Sequence, residues 1–112
     1  MVAARSRPIK RQRVRLRSAG LRPAILVDCS HANSGRKPAR QERVLQSVVR
    51  QRLSGEPAVL GAMLESNLEE GSQRISPEPG QLRHGVSITD PCIGWETTER
   101  LLRWAHAQLA GE

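Results

Sequence analysis

Three side chains able to bind a divalent cation stand at informative places in this 112-residue sequence: His31, Glu65 and Asp90. One imidazole and two carboxylates make a plausible ligand set for a first-row divalent metal. His31 falls two residues past the apolar run 24–29 (AILVDC), and Glu65 directly follows the apolar run 58–64 (AVLGAML). Asp90 lies in the loop before the last helical segment. Short apolar runs bounded by turn residues suit strands buried on both faces, as in a parallel sheet. In parallel α/β folds, active sites gather at the C-terminal ends of the strands. Taken singly, each residue also has an ordinary role: a solvated or capping His, a surface Glu, an N-cap Asp. No Gly-rich phosphate loop, Ser-centred elbow or CxxC pair is present.

The elements that must position these residues follow from periodicity. Residues 14–19 read as the end of a helix, with Gly20 at the position that favours a left-handed conformation and Pro23 preventing continuation. Residues 30–38 (SHANSGRKP) have loop chemistry. Residues 39–53 place Val44, Leu45, Val48, Val49 and Leu53 on one helical stripe, ended by Ser54-Gly55. The segment 66–87 is turn-rich and long enough to be either functional or disordered. A last helix is expected over 97–109, with Glu96 and Glu99 suiting the positive end of its dipole and Gly111 just past its end. Strands alternating with helices argue for βαβ units. Two strands alone do not make a sheet that is stable in water.

Charge is distributed unevenly. Residues 1–23 contain eight Lys or Arg and no acid, whereas the remainder contains ten basic and eleven acidic residues. The net charge of +7 therefore belongs to a leader, which over 1–13 is expected to be disordered. No stretch is apolar enough for a transmembrane helix, and the basic N-terminus has no apolar segment after it of the kind a secretory signal needs. Cys29 and Cys92 are too few and too far apart for a disulfide framework, so a reducing cytoplasm is the simplest setting. Cys29 is expected to be a small buried residue; Cys92, in the loop next to Asp90, is ambiguous. Phe and Tyr are absent, leaving Leu, Val, Ile and Ala to build the core.

Three longer motifs add specificity. Asp28-Cys29-Ser30-His31-Ala32-Asn33-Ser34, the stretch Ala62-Met63-Leu64-Glu65-Ser66-Asn67-Leu68-Glu69-Glu70-Gly71, and Gly85-Val86-Ser87-Ile88-Thr89-Asp90-Pro91-Cys92-Ile93-Gly94-Trp95-Glu96-Thr97-Thr98 occur in this order. They resemble D-x-S-H-A-N-S, M-x-E-S-x-L-x-E-G and G-x-S-I-T-D-x-C-I-G-W-x-x-T of type I 3-deoxy-7-phosphoheptulonate (DAHP) synthases. The resemblance covers about residues 14–110, corresponding to the C-terminal third of that family.

It implies the C-terminal part of a (β/α)8 TIM barrel. Residues 24–29 and 58–64 would be strands seven and eight, and 14–112 would run from the end of helix six through helix eight. It also implies condensation of phosphoenolpyruvate with erythrose 4-phosphate, releasing phosphate, the first step of aromatic amino-acid synthesis. His31, Glu65 and Asp90 stand at three of the family's four divalent-metal ligands, with His31 also close to phosphoenolpyruvate and Asp90 to the aldehyde substrate. The fourth ligand, a Cys from the first strand, has no counterpart here, and Cys29 does not match it by position. The upstream Lys and Arg residues that grip the substrates are also missing. The isolated chain is therefore expected to be inactive unless a complementing chain supplies the other barrel units or the sequence is part of a longer protein. Two alternatives stand beside this: a non-catalytic truncated remnant, or a module whose basic leader docks nucleic acid or an acidic partner. Nucleic acid is not the expected partner, because no aromatic or structured reader accompanies the charge, and no membrane is implied.

Overall fold

Ile9 is completely buried, and it explains why the basic leader is ordered where disorder was expected. The computed structural model describes residues 6–111, and in it Ser6–Ser18 forms the first helix, α1. Leu16, seven residues on from Ile9, packs against the same core, so the two mark one inward helical stripe. Between them, Arg13 Nη1 donates to both carboxylate oxygens of Glu56 at 3.0 Å, and Glu56 is itself buried. Arg, Lys, Gln and Leu are good helix formers, and Arg15 and Arg17 in the last turn complement the dipole. The expected leader thus loses residues 6–13 to the folded domain, while 1–5 lie outside the described residues. Helix α1 ends as its sequence indicates. Gly20 sits at φ 73, its N–H donating to the Arg17 carbonyl and that of Leu21 to the Leu16 carbonyl. This is the paired bonding of a Schellman cap.

The chain then enters strand β1 (Ile25–Asp28), passes through short 3-10 turns at His31–Ser34 and Pro38–Arg40, and forms α2 (Gln41–Leu53). Strand β2 (Val59–Met63) pairs in parallel with β1, Val27 opposite Ala62 and Asp28 opposite Met63, with an irregularity between Ile25 and Leu26. The strands and α2 lie within the expected segments; the predicted first turn of α2 is the 3-10 turn. The last helix, α3 (Trp95–Leu109), starts two residues earlier than expected, because Gly94 accepts from both Thr98 N–H and the Thr98 hydroxyl and so fixes the first turn.

The core lies on one side of the two-stranded sheet. Ile25, Val27 and Val59 meet Val44, Leu45, Val48 and Val49 of α2, with Ile93 and Leu101 closing the cluster. The expectation that both strand faces are buried is corrected: Leu26 is 67% exposed, Leu60 51% and Met63 42%. Among the described residues, helices cover one face, with Leu60 at the edge of the groove they form; on the other face the turn after β1 covers Asp28 and leaves Leu26 and Met63 exposed. The 66–87 segment is not loose. Ser66, Gly71 and Ser72 bridge to Ile93, Cys92 and Ser87, and the Gln73 amide donates to the Arg83 and Val86 carbonyls while accepting from Arg83 N–H. Among the described residues, no helix is long and apolar enough to cross a membrane.

The docking of α1 makes a direct prediction. Ile9→Ala should lower the unfolding free energy by about 2–4 kcal/mol through a lost buried side chain and the cavity it leaves. Arg13→Ala should lower it by about 1–3 kcal/mol, because it leaves the Glu56 carboxylate buried without its cation. Urea titrations followed by circular dichroism measure both, and no loss for Ile9→Ala would mean that α1 does not dock.

Candidate metal centre

Asp28 is the last residue of β1, and its carboxylate is 2% exposed. A buried carboxylate must be hydrogen-bonded, and the next three residues supply the donors. Ser30 N–H donates to Oδ1 at 2.8 Å, the Ser30 hydroxyl donates to the same oxygen, and His31 Nδ1 lies 2.8 Å from Oδ2. Asn33 adds a bond from its side-chain amide to the Asp28 carbonyl at 2.7 Å. This wrapping of the chain around one carboxylate brings His31 into the left-handed region at φ 48, a conformation that non-glycine residues adopt only when surroundings hold them.

The same contacts aim the imidazole. With Nδ1–H donating to Asp28, Nε2 points away from β1. There it meets Asp90 Oδ2 at 3.0 Å and Glu65 Oε1 at 3.3 Å. Glu65 comes just after β2, and a buried side chain on another element fixes its backbone: Gln41, fully buried at the start of α2, accepts from Glu65 N–H at 2.9 Å and donates to the Glu65 carbonyl at 3.1 Å. Ile93 N–H also donates to that carbonyl, which ties the Asp90 segment to the end of β2. The structure therefore brings together all three residues singled out in the sequence. One donor atom from each of His31, Glu65 and Asp90 lies within 4.8 Å of the others, and no other such group occurs among the described residues. A cavity of about 150 Å³ opens beside them, bordered also by Ser34, Arg36 and Gln41.

Electrostatics match the geometry. Burial raises the Asp28 pKa, but hydrogen bonds from Ser30 and His31 outweigh it, and the carboxyl is held below its ordinary value. The His31 pKa is raised, first by its hydrogen bond to Asp28 and then by Asp90. Glu65 is raised by burial, with the Asp90 and Asp28 charges adding to it and His31 opposing. Three carboxylates around one imidazole make a site that attracts a cation. Cys29 is buried away from this group, with its thiol pushed up to about 12 by burial and by Asp28. Cys92 is buried too, its Sγ 3.5 Å from the Asp90 carbonyl, and its thiol is also raised by burial.

Sequence reasoning gave no separate role to Asp28 or Gln41. Gln41 had a usable signal: it lies on the same helical stripe as Val44, Leu45 and Val48, where a polar residue must find a buried partner.

The family model for the DAHP synthetase I family matches residues 8–103. The chain belongs to this family. The match begins within the leader that the motifs had left unplaced, in agreement with the docking of α1. Among DAHP synthases, the Tyr-sensitive phospho-2-dehydro-3-deoxyheptonate aldolase of Salmonella typhimurium is 45% identical over 97 residues, which are 87% of this chain and 27% of that protein. The Phe-sensitive aldolase of Escherichia coli K12 is 48% identical over 89 residues, 79% of this chain and 25% of that one. The structure of the Francisella tularensis aldolase superposes with a TM-score of 0.86 at 29% identity, covering 96% of this chain and 30% of that one. The chain thus spans about a quarter of the length of these two curated relatives.

The raised His31 value fixes the sign of a pH dependence. Folded His31 holds its proton more tightly than the unfolded chain, so its contribution to stability is full below the ordinary value of 6.5 and is lost as pH rises through the raised folded value. In metal-free buffer the urea midpoint should fall across that window, and His31→Ala should remove that component. An unchanged profile in the variant would break the link between His31 and its carboxylate neighbours.

Proposed function

We propose that this chain carries the His–Glu–Asp side of the divalent metal centre of a DAHP synthase. The reaction is the condensation of phosphoenolpyruvate with erythrose 4-phosphate, releasing phosphate. The convergence of His31, Glu65 and Asp90 within 4.8 Å, at the C-terminal ends of two parallel strands, carries this reading. The donor set fits the group: a neutral imidazole fixed through Nδ1 and two carboxylates suit a first-row divalent ion. His31, Glu65 and Asp90 would hold it, and when bound it would orient the reactants and polarise the aldehyde carbonyl. Asp28 keeps the proton on His31 Nδ1 and so keeps Nε2 free for a ligand bond. Gln41 fixes the backbone from which Glu65 projects. His31 also stands where phosphoenolpyruvate binds and Asp90 where the aldehyde binds, by the family pattern.

In the same reading, β1 and β2 are strands seven and eight of a TIM barrel, and α1 is the helix preceding them. The exposed Leu26, Leu60 and Met63 are then positions that the rest of a barrel covers. The family's Cys ligand and phosphate-gripping bases belong to the other barrel units, so catalysis needs those units as well. The setting is the cytoplasm, where buried thiols such as Cys29 and Cys92 stay reduced.

Two experiments test this. Mn2+ binding, followed by the paramagnetic signal of free Mn2+, should weaken about tenfold or more for His31→Ala, Glu65→Ala or Asp90→Ala, and by about 10–100-fold for Asp28→Asn. Wild-type affinity should rise with pH as His31 gives up its proton. Tight binding that none of these substitutions alters would discard the metal centre. Separately, the purified chain should consume no phosphoenolpyruvate in the presence of erythrose 4-phosphate and Mn2+; turnover above background would show that the additional barrel units are dispensable.

A further inference from the structure

Arg36 is a second non-glycine residue in the left-handed region, at φ 61. Its N–H donates to the His31 carbonyl at 2.7 Å, while Gly35 N–H donates to that of Ala32. This closure ends the 3-10 turn that carries His31 and sets Arg36 on the border of the cavity shared by His31, Glu65 and Asp90. Asn or Gly would occupy such a backbone position with less strain. Among the described residues, the Arg36 guanidinium makes no ion pair or side-chain hydrogen bond that would offset that strain.

A second observation comes from Arg40. Its Nη1 reaches back over Gly35, the residue before Arg36, 3.2 Å from where a Cβ on that glycine would sit. Arg36, Lys37 and Arg40 are all exposed and follow one another around this turn with no acidic residue among them. A run of cations in one turn at a cavity mouth favours an anionic ligand. The cavity of about 150 Å³ has space for about five water-sized groups, enough for a phosphate group and far too little for a nucleotide.

We propose that Arg36, with Arg40 from the same basic turn, grips a phosphate group of the ligand that enters the His31–Glu65–Asp90 cavity. The planar guanidinium matches phosphate oxygens in pairs. The backbone closure at Arg36 then serves to hold that fork at the cavity mouth. The inference deepens the proposed function and rests on this cavity being its ligand site. It adds a phosphate contact from this segment itself.

Calorimetric titration of inorganic phosphate into the full 112-residue chain, metal-free and with Mg2+, tests the assignment. Arg36→Gly and Arg36→Gln should each weaken phosphate binding about tenfold, as expected for a lost charge-assisted contact. Arg36→Lys should recover part of the affinity. The glycine variant should keep or raise the thermal midpoint, because it relieves the left-handed residue, which separates loss of the grip from loss of folding. Arg50→Gln, roughly 13 Å further along α2 from Gln41, should bind phosphate as the wild type does.

Phosphate affinity unchanged in Arg36→Gly, an equal loss in Arg50→Gln, or no phosphate binding by the wild-type chain in either state would overturn the assignment. The metal-free titration decides Arg36 regardless of the metal. Mn2+ binding that ignores His31, Glu65 and Asp90 would instead sink the metal-centre reading alone.

Discussion

The buried carboxylate of Asp28 is the constraint around which the site is arranged. A charge at the end of a strand, almost without solvent, is stable only when donors surround it. Ser30 and His31 provide them, and they can do so only if the chain turns sharply after β1. That turn forces His31 and Arg36 into left-handed backbone conformations. It also leaves the imidazole with one nitrogen committed and the other facing Glu65 and Asp90. One electrostatic requirement thus fixes the path of the loop, the tautomer of the histidine and the direction in which it offers its lone pair.

The other two acidic residues depend on connections that cross between elements. Glu65 is positioned by the Gln41 side chain from the start of α2 and by Ile93 N–H from the approach to α3. Asp90 is held through that same approach, where Gly71 and Cys92 exchange backbone hydrogen bonds. The long segment between β2 and α3 is consequently part of the site's support. Gln73 closes it on itself by bonding across ten to thirteen residues of chain.

Stability and chemistry are separated in space. The apolar residues of α2, α3 and one sheet face form the core beneath the strands. The opposite face presents Leu26 and Met63, which in a family whose named relatives are about three times as long is the natural place for further strands to pack. At the opposite end of β2 from the site, the Arg13–Glu56 pair fastens α1 beside the start of that strand.

Much of this was legible in the sequence. The apolar runs predicted β1 and β2, the helical stripe predicted α2, and Gly20 marked the end of α1. The His31, Glu65 and Asp90 ligand set followed from residue type and from position after a strand or before a helix, and three motifs pointed to the family. Order within residues 6–13 was not legible, because a lone Ile9 among cations gives no clear period; its burial depends on a core made by distant segments. Nor was the one-sided exposure of the strands, since apolar runs record what a sequence is built to bury and not what covers it. The sequence by itself determined the elements and the identities of the cation-binding side chains, because local propensity and side-chain chemistry act over a few residues. Only the tertiary structure decided that Asp28 orients His31, that Gln41 positions Glu65 and that Arg36 borders the cavity. Those relations depend on distances and directions between segments up to 59 residues apart in the chain.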